Sequence, residues 1–232
     1  MSKSQEEQYT EARSLDHFSI FGMINRSRTF VLLFALIIQI LLSGPDIGGG
    51  MIDLVTRIIT LTAAIYMAAD TKRHLIIGTI LGIPSLILAA ASHFSDLRIW
   101  DWPTMIFALL LYIFIIRLML RKIFNATTIT VDTIGMALCT YILIGTMWVL
   151  FYTPLVAIDP DAFSVPILTE GETFHTLTYF SYVTLTTLGY GDISPVSNLA
   201  RNLAVIEALT GTLFLAVLIS RLVGSYASKR DQ

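Results

Sequence analysis

Apolar residues in this chain come in long, nearly unbroken runs, not in the alternation of a half-buried strand or the one-sided stripe of a surface helix. An α-helix needs about 20 such residues to cross the hydrocarbon layer of a bilayer. Six runs approach that length, at 24–43, 51–69, 74–92, 102–120, 133–155 and 199–222. The first is closed by Gly44, Pro45 and the glycines at 48–50. Connections between runs are short except between the fifth and sixth, where residues 156–198 intervene. That segment is too long and too apolar for an ordinary loop. Within it, ETFHTLTYFSYVTLT (172–186) has helical length but cannot span. It predicts a re-entrant helix that enters the membrane and stops, after which TLGYGD (187–192) returns toward the surface as an irregular, extended strand.

Composition agrees: 55% of residues are hydrophobic and 14% charged, the balance of a membrane protein. The chain is therefore expected to be an all-α membrane protein of six transmembrane helices plus one re-entrant pore helix and an extended segment. The single cysteine, Cys139, cannot form a disulfide within the chain and reads as a small buried hydrophobe. Residues 1–23 are polar at first and lack the pattern of a cleaved signal peptide, although Phe18, Phe21 and Ile24 could form a short helix on the membrane surface. Lys and Arg are distributed unevenly. One set of loops and tails holds Arg26, Arg28, Lys72, Arg73, Arg117, Arg121, Lys122, Arg221, Lys229 and Arg230, and the other side holds only Arg98 and Arg201. This bias places both termini in the cytoplasm and TTLGYGD outside. Residues 156–198 carry Asp159, Asp161, Glu170, Glu172 and Asp192 with no Lys or Arg, which would concentrate cations at that face.

Irregular backbone at membrane depth is tolerated only where protein buries it or a watery path satisfies it. Gly189 and Gly191 allow backbone angles that other residues resist, so successive carbonyls can turn the same way and replace the water shell of an alkali cation. Thr187-Leu188-Gly189-Tyr190-Gly191 resembles the T-V-G-Y-G filter of the potassium channel family, with Leu for Val. The aromatic-rich helix before it, Asp192 and Pro195 after it, Arg201 at the start of the next run and Gly211 within that run extend the resemblance over 133–225.

The resemblance implies that the carbonyls of Thr187, Leu188, Gly189 and Tyr190 line K+ sites, with the Thr187 hydroxyl at the cavity end. Thr186 would support the filter from below. Tyr190 would pack against a cuff of Tyr179 and Phe180, and Asp192 would brace the filter from outside. Some family members pair this Asp with a Glu on the pore helix, but here that position is Val183. Gly211 would be a hinge of the inner helix, its alternative being close helix packing. Thr212, Leu215, Ile219 and Val223 would line the cavity and gate. One filter strand per chain cannot enclose an ion, so a homotetramer is implied.

The implied domains are a cytoplasmic segment (1–23), a four-helix voltage-sensor-like domain (24–125), a pore domain (126–225) and a short cytoplasmic tail (226–232). The fourth run, however, has no charge from 102 to 116, where a voltage sensor carries repeated arginines. Arg57, four residues after Asp53, is expected to pair with it. Glu207 is an acid inside a span and needs a partner, for which the pore helix behind the filter is the expected source. No phosphate loop, metal-ligand cluster or activated nucleophile is present in the sequence, so neither enzymatic activity nor a cofactor beyond permeant K+ is expected, and no nucleic-acid partner. The ten residues after 222 are too few for a regulatory domain of about 100 residues.

The expectation is thus a potassium-selective channel that is not voltage-gated, in a plasma membrane or bacterial inner membrane and in contact with lipid. A weakly selective cation channel, a subunit like those of potassium-uptake transporters, and a lipid- or partner-binding scaffold are the alternatives.

Overall fold

The computed structural model describes residues 28–42, 49–68, 71–94, 101–126, 128–165 and 170–230. Expectations for the N-terminal segment 1–23, the loop at 43–48, Arg98 and the side chains of Asp53, Glu170 and Glu172 lie outside the described residues.

Among the described residues seven helices follow in order: α1 Arg28–Leu42, then α2 Gly49–Ala68, α3 Lys72–Phe94, α4 Asp101–Asn125, α5 Val131–Ile158, α6 Glu170–Leu185 and α7 Asn198–Arg230. Four contain segments long and apolar enough to cross a membrane: Lys72–Ala91, Trp102–Asn125, Val131–Ile158 and Asn198–Gly224. The spans expected over 24–43 and 51–69 have shorter apolar stretches, Arg28–Leu42 and Leu54–Met67. The chain is a multi-pass, all-helical membrane protein with four candidate spans. No β-ladder forms among the described residues at 187–192, where an extended strand was expected; the β pairing described is a single bridge between Phe163 and Pro195.

Consecutive helices from α2 to α7 pack in chain order, and α5 also touches α7. Local chemistry sets the ends of α5. Thr130 accepts from the Thr133 amide while the Thr133 hydroxyl accepts from the Thr130 amide, a reciprocal cap that satisfies two of the orphan donors at the start. Pro160 stands just past the last turn, where Asp159 N–H closes onto the Leu155 carbonyl. α5 is the central post: 61% of its spanning segment is buried within the chain, against 11% for α7. Its N-terminal half is tied to α1, because Thr29 Oγ1 donates to Asp132 Oδ1 and the buried Cys139 Sγ donates to the Thr29 carbonyl at 3.6 Å.

Three cations tie helices of the chain together. Lys122 Nζ donates to the Met67 carbonyl at 3.0 Å and so caps the end of α2. Arg221 Nη2 donates to the Ala126 carbonyl at 2.6 Å, fixing α7 to the link between α4 and α5. The Arg57 guanidinium lies 4.8 Å from the centroid of the Phe174 ring, so α2 reaches the first turns of α6. An apolar groove of about 240 Å³ runs between α4 and α7, with Arg221 at its edge.

α6 has 16 residues and is about 24 Å long, shorter than the hydrocarbon layer. It is wedged between α5 and α7, and Gly211 sets how close α7 comes. A Cβ built on Gly211 would lie 2.1 Å from the Leu185 carbonyl oxygen, the end of α6. That neighbour is backbone and cannot rotate aside. Gly211 is therefore a close-packing glycine, whatever bending it also permits. Gly211→Ala is expected to force α7 off α6 and destabilise the protein by about 1–3 kcal/mol, read as a lower thermal unfolding midpoint in detergent. A glycine needed only for bending predicts an unchanged midpoint.

Candidate functional site

The turn that leaves α6 is the most constrained backbone in the molecule. Thr187 has φ 58°, Gly189 59° and Gly191 81°. Thr187 is the one non-glycine with positive φ among the described residues. A β-branched residue there is a true outlier, and left-handed backbone costs an L-residue about 1–2 kcal/mol. Left-handed residues thus alternate with others at 187, 189 and 191.

Hydrogen bonds hold the turn to the end of α6. Thr186 N–H donates to the Tyr182 carbonyl (3.0 Å) and Thr187 N–H to the Thr184 carbonyl (2.9 Å). The Val183 carbonyl accepts from both Leu188 N–H (2.9 Å) and Gly189 N–H (3.3 Å). The Thr186 hydroxyl donates back to the Tyr182 carbonyl at 2.6 Å. Leu188 and Tyr190 are 55% and 67% exposed in the single chain. A Cβ at Gly189 or Gly191 would meet nothing within 4 Å, so these glycines serve backbone angle, not crowding.

After the turn, the chain is pinned to the loop that follows α5. Ser164 N–H donates to the Ser194 carbonyl (2.9 Å) and Val196 N–H to the Ala162 carbonyl (2.8 Å). The Ser164 hydroxyl accepts from Ser194 N–H at 2.9 Å, and Arg201 Nε donates to the Pro195 carbonyl at 3.2 Å. Sequence reading did not single out Ala162, Phe163 or Ser164. The apolar Phe163 between Asp161 and Ser164 was the available signal, and its ring is buried against Tyr152 and Phe180.

Behind the turn, α6 is bolted to α5. Tyr141 Oη donates to the Leu185 carbonyl (3.2 Å), and Tyr182 Oη donates to the Ile142 carbonyl (2.9 Å) beside the Thr146 hydroxyl (3.1 Å). Ser181 Oγ lies 2.8 Å from the Gly145 carbonyl. Glu207, on α7, reaches the same place: Oε1 is 2.5 Å from Ser181 Oγ, and Oε2 accepts from Tyr152 Oη at 2.6 Å. The pore-helix contact expected of Glu207 is thus present. Its second partner, Tyr152, was not foreseen. Phe180 faces this interior, edge-on to Tyr152 and Phe163, and is 3% exposed. Within one chain it belongs to the core behind α6, not to a ring around Tyr190. Thr212, Leu215, Ile219 and Val223 lie on the open side of α7, and Leu215, Ile219 and Val223 are 40–63% exposed. Among the described residues no group of three or more His, Cys, Asp or Glu could hold a metal ion, so cation ligands here would be backbone oxygens.

Residues 136–227 match the family model described as "Ion channel". The matched segment contains α6, the strained turn and most of α5 and α7. The chain is similar to two potassium channels. It is 38% identical over 63 residues to "Two-pore potassium channel 4" of Arabidopsis thaliana, covering 27% of this chain and 22% of that protein. It is 28% identical over 145 residues to "Voltage-gated potassium channel Kch" of Escherichia coli (strain K12), covering 60% of this chain and 31% of that protein. The chain thus spans less than a third of the length of either relative. No solved structure gives a significant match.

Past the turn, Asp192 has a partner where sequence suggested none. Tyr179 Oη donates to Asp192 Oδ2 at 2.7 Å. The bond raises the phenol to about 12, because losing its proton would leave two anions side by side. It also holds the Asp192 carboxyl below the usual aspartate range. Both shifts have a defined sign. The depressed Asp192 contributes above the ordinary aspartate pKa of about 4 and loses its contribution as pH falls through its lower folded value. The raised Tyr179 contributes below about 10 and loses its contribution as pH rises through about 12. Tyr179→Phe is expected to return Asp192 to the ordinary range and so move the acid limb of the activity profile to higher pH. Ion flux across an acid pH series measures it, and an unmoved acid limb would show that this bond does not hold the outer edge.

Proposed function

We propose that the chain is one subunit of a homotetrameric potassium channel, with Thr187, Leu188, Gly189, Tyr190 and Gly191 as its selectivity filter. The single observation that carries this reading is the alternation of positive φ at Thr187, Gly189 and Gly191. A strained β-branched residue persists only where its surroundings enforce it and function uses it. Here the strain presents a row of carbonyl oxygens that can stand in for the hydration shell of K+.

Two further features support the reading. One strand offers ligands on one side of an ion only, so copies must complete the ring. α7 bears Leu209, Leu213, Leu215, Ile219 and Val223 exposed in the single chain, a surface suited to neighbouring subunits, lipid and a cavity wall. The carboxyl end of α6, at Leu185, carries the negative end of its helix dipole to the base of the turn, where it favours a cation. In this assembly Thr212, Leu215, Ile219 and Val223 line the cavity and its inner constriction, Thr186 and Asp192 flank the filter, and α1 and α2 cross the membrane to make six spans. Both termini are cytoplasmic, in a plasma membrane or bacterial inner membrane. The mechanism is passive, multi-ion conduction.

The reversal potential of the reconstituted protein in mixed salts tests selectivity. It should track the K+ gradient and ignore Na+, and Gly189→Ala should abolish selective flux, since alanine resists a φ of 59°. Near-equal permeability to the two ions would refute the filter assignment.

Voltage is not the gate in this reading. One elementary charge crossing the whole field is worth about 2.3 kcal/mol per 100 mV, and steep opening needs three or four from each subunit. α4 has no charged residue from Trp102 to Ile116, and Lys122 is tied to the Met67 carbonyl. Arg117 and Arg121 stand exposed near its end. Open probability should therefore change only shallowly with voltage. Tail-current analysis measures this, and an effective gating charge above about four per tetramer would place these cations within the field.

A further inference from the structure

Glu207 is fully buried in the middle of α7, and its hydrogen-bond partners among the described residues are two hydroxyls, one on α5 and one on α6. Counting protons at those hydroxyls decides the state of the acid. Ser181 Oγ has two close neighbours, the Gly145 carbonyl at 2.8 Å and Glu207 Oε1 at 2.5 Å. A hydroxyl owns one proton, and a backbone carbonyl only accepts. If Glu207 were ionised, both neighbours of Ser181 would be acceptors, and one would face an oxygen lone pair at hydrogen-bond distance. If Glu207 holds a proton on Oε1, every contact is satisfied. Tyr152 donates to Oε2, Oε1–H donates to Ser181, and Ser181 donates to the Gly145 carbonyl.

We propose that Glu207 rests as a neutral carboxylic acid and is the middle link of a one-way hydrogen-bond chain, Tyr152 to Glu207 to Ser181 to Gly145, that positions α6 behind the filter. Glu207 touches no permeating ion in this reading; it acts through Ser181, four residues before Leu185. The chain joins α5, α6 and α7 at one point. Its place explains why an acid is kept there: an apolar side chain would leave the Ser181 and Tyr152 hydroxyls without this partner in the core. The titratable groups packed around it are phenols, Tyr141 and Tyr152 on α5 and Tyr182 on α6. A neutral acid needs no cation among such neighbours, whereas an ionised one would be an uncompensated charge.

The inference rests on reading 187–191 as the filter, and the test separates the two. The full chain is reconstituted in liposomes as wild type, Glu207→Gln and Glu207→Ala. Glutamine reproduces the neutral pattern, its amide N–H donating to Ser181 and its amide oxygen accepting from Tyr152. Glu207→Ala is expected to lower K+ flux roughly tenfold or more, the scale of a buried polar partner lost. Glu207→Gln should restore flux to within about threefold of wild type. Infrared difference spectra between wild type and Glu207→Gln at neutral pH should show the carbonyl stretch of a protonated carboxylic acid in the wild type alone. A Gln variant as impaired as the Ala variant, or a carboxylate band in place of the acid band, would overturn the proposal. This spectroscopic arm does not depend on the Ala variant assembling. An acid band present in a wild type that passes no ions would leave the hydrogen-bond chain standing and remove the conduction reading instead.

Discussion

Backbone strain at Thr187 is the constraint around which the channel domain is arranged. A threonine at φ 58° would relax if its surroundings allowed it. They do not, because the turn is held from three directions. From within, the Val183 carbonyl accepts two successive amides and closes the turn onto α6. From outside, Tyr179 grips Asp192, and the Ser164–Ser194 exchange fixes the exit. From behind, tyrosine hydroxyls of α5 and the carboxyl of Glu207 on α7 hold α6 itself. The holds from behind, through Tyr152 and Glu207, are polar contacts in an apolar setting, where an unmade bond is expensive. The geometry of the turn is thus a property of three helices and two loops together, not of five residues.

The same arrangement explains the contrast between α5 and α7. α5 spends its polar groups inward, on α6 and on Thr29 of α1, and is largely buried. α7 meets α6 through Glu207 and Gly211, and turns a long apolar side away from the rest of the chain. A helix built this way has one face for its own subunit and the others for whatever surrounds it. In the proposed tetramer those are the cavity, the neighbouring subunits and lipid.

Much of this was legible in the sequence, for identifiable reasons. Helix lengths followed from apolar runs, because membrane thickness fixes them, and α3, α4, α5 and α7 lie where those runs fall. The irregular segment was legible because glycine spacing and a short helix before it leave few alternatives. Glu207 could be assigned to the pore helix since an acid in a span must find a polar partner and few were in reach. What remained hidden depended on contacts distant in sequence. Tyr152 is one of several aromatic residues on α5, and nothing local marks it as the partner of an acid 55 positions away. Tyr179 looked like packing around Tyr190, whereas its hydroxyl serves Asp192. Gly211 carried two readings, and only the position of the Leu185 carbonyl shows that close approach is required. The pairing expected between Asp53 and Arg57 lies outside the described side chains, and the contact described for Arg57, over Phe174, is one that sequence spacing could not supply.

That contact bears on how the N-terminal helices are joined to the rest of the chain. α4 has no charged residue from Trp102 to Ile116, yet the N-terminal helices are not merely appended. They meet α6 and α7 by different means. At one end Arg57 lies on Phe174, in the first turns of α6, seven residues before Ser181. At the other, Arg221 of α7 holds the Ala126 carbonyl between α4 and α5. Arg57 thus links α2 to α6, whose Ser181 lies against the Gly145 carbonyl and Glu207. Arg221 links the connection between α4 and α5 to α7, two residues before Val223. The two links end on different elements, α6 held on both sides by hydrogen bonds and α7 largely exposed within its own chain. The second involves none of the bonds described around Thr187, so the N-terminal helices reach α7 independently of that turn.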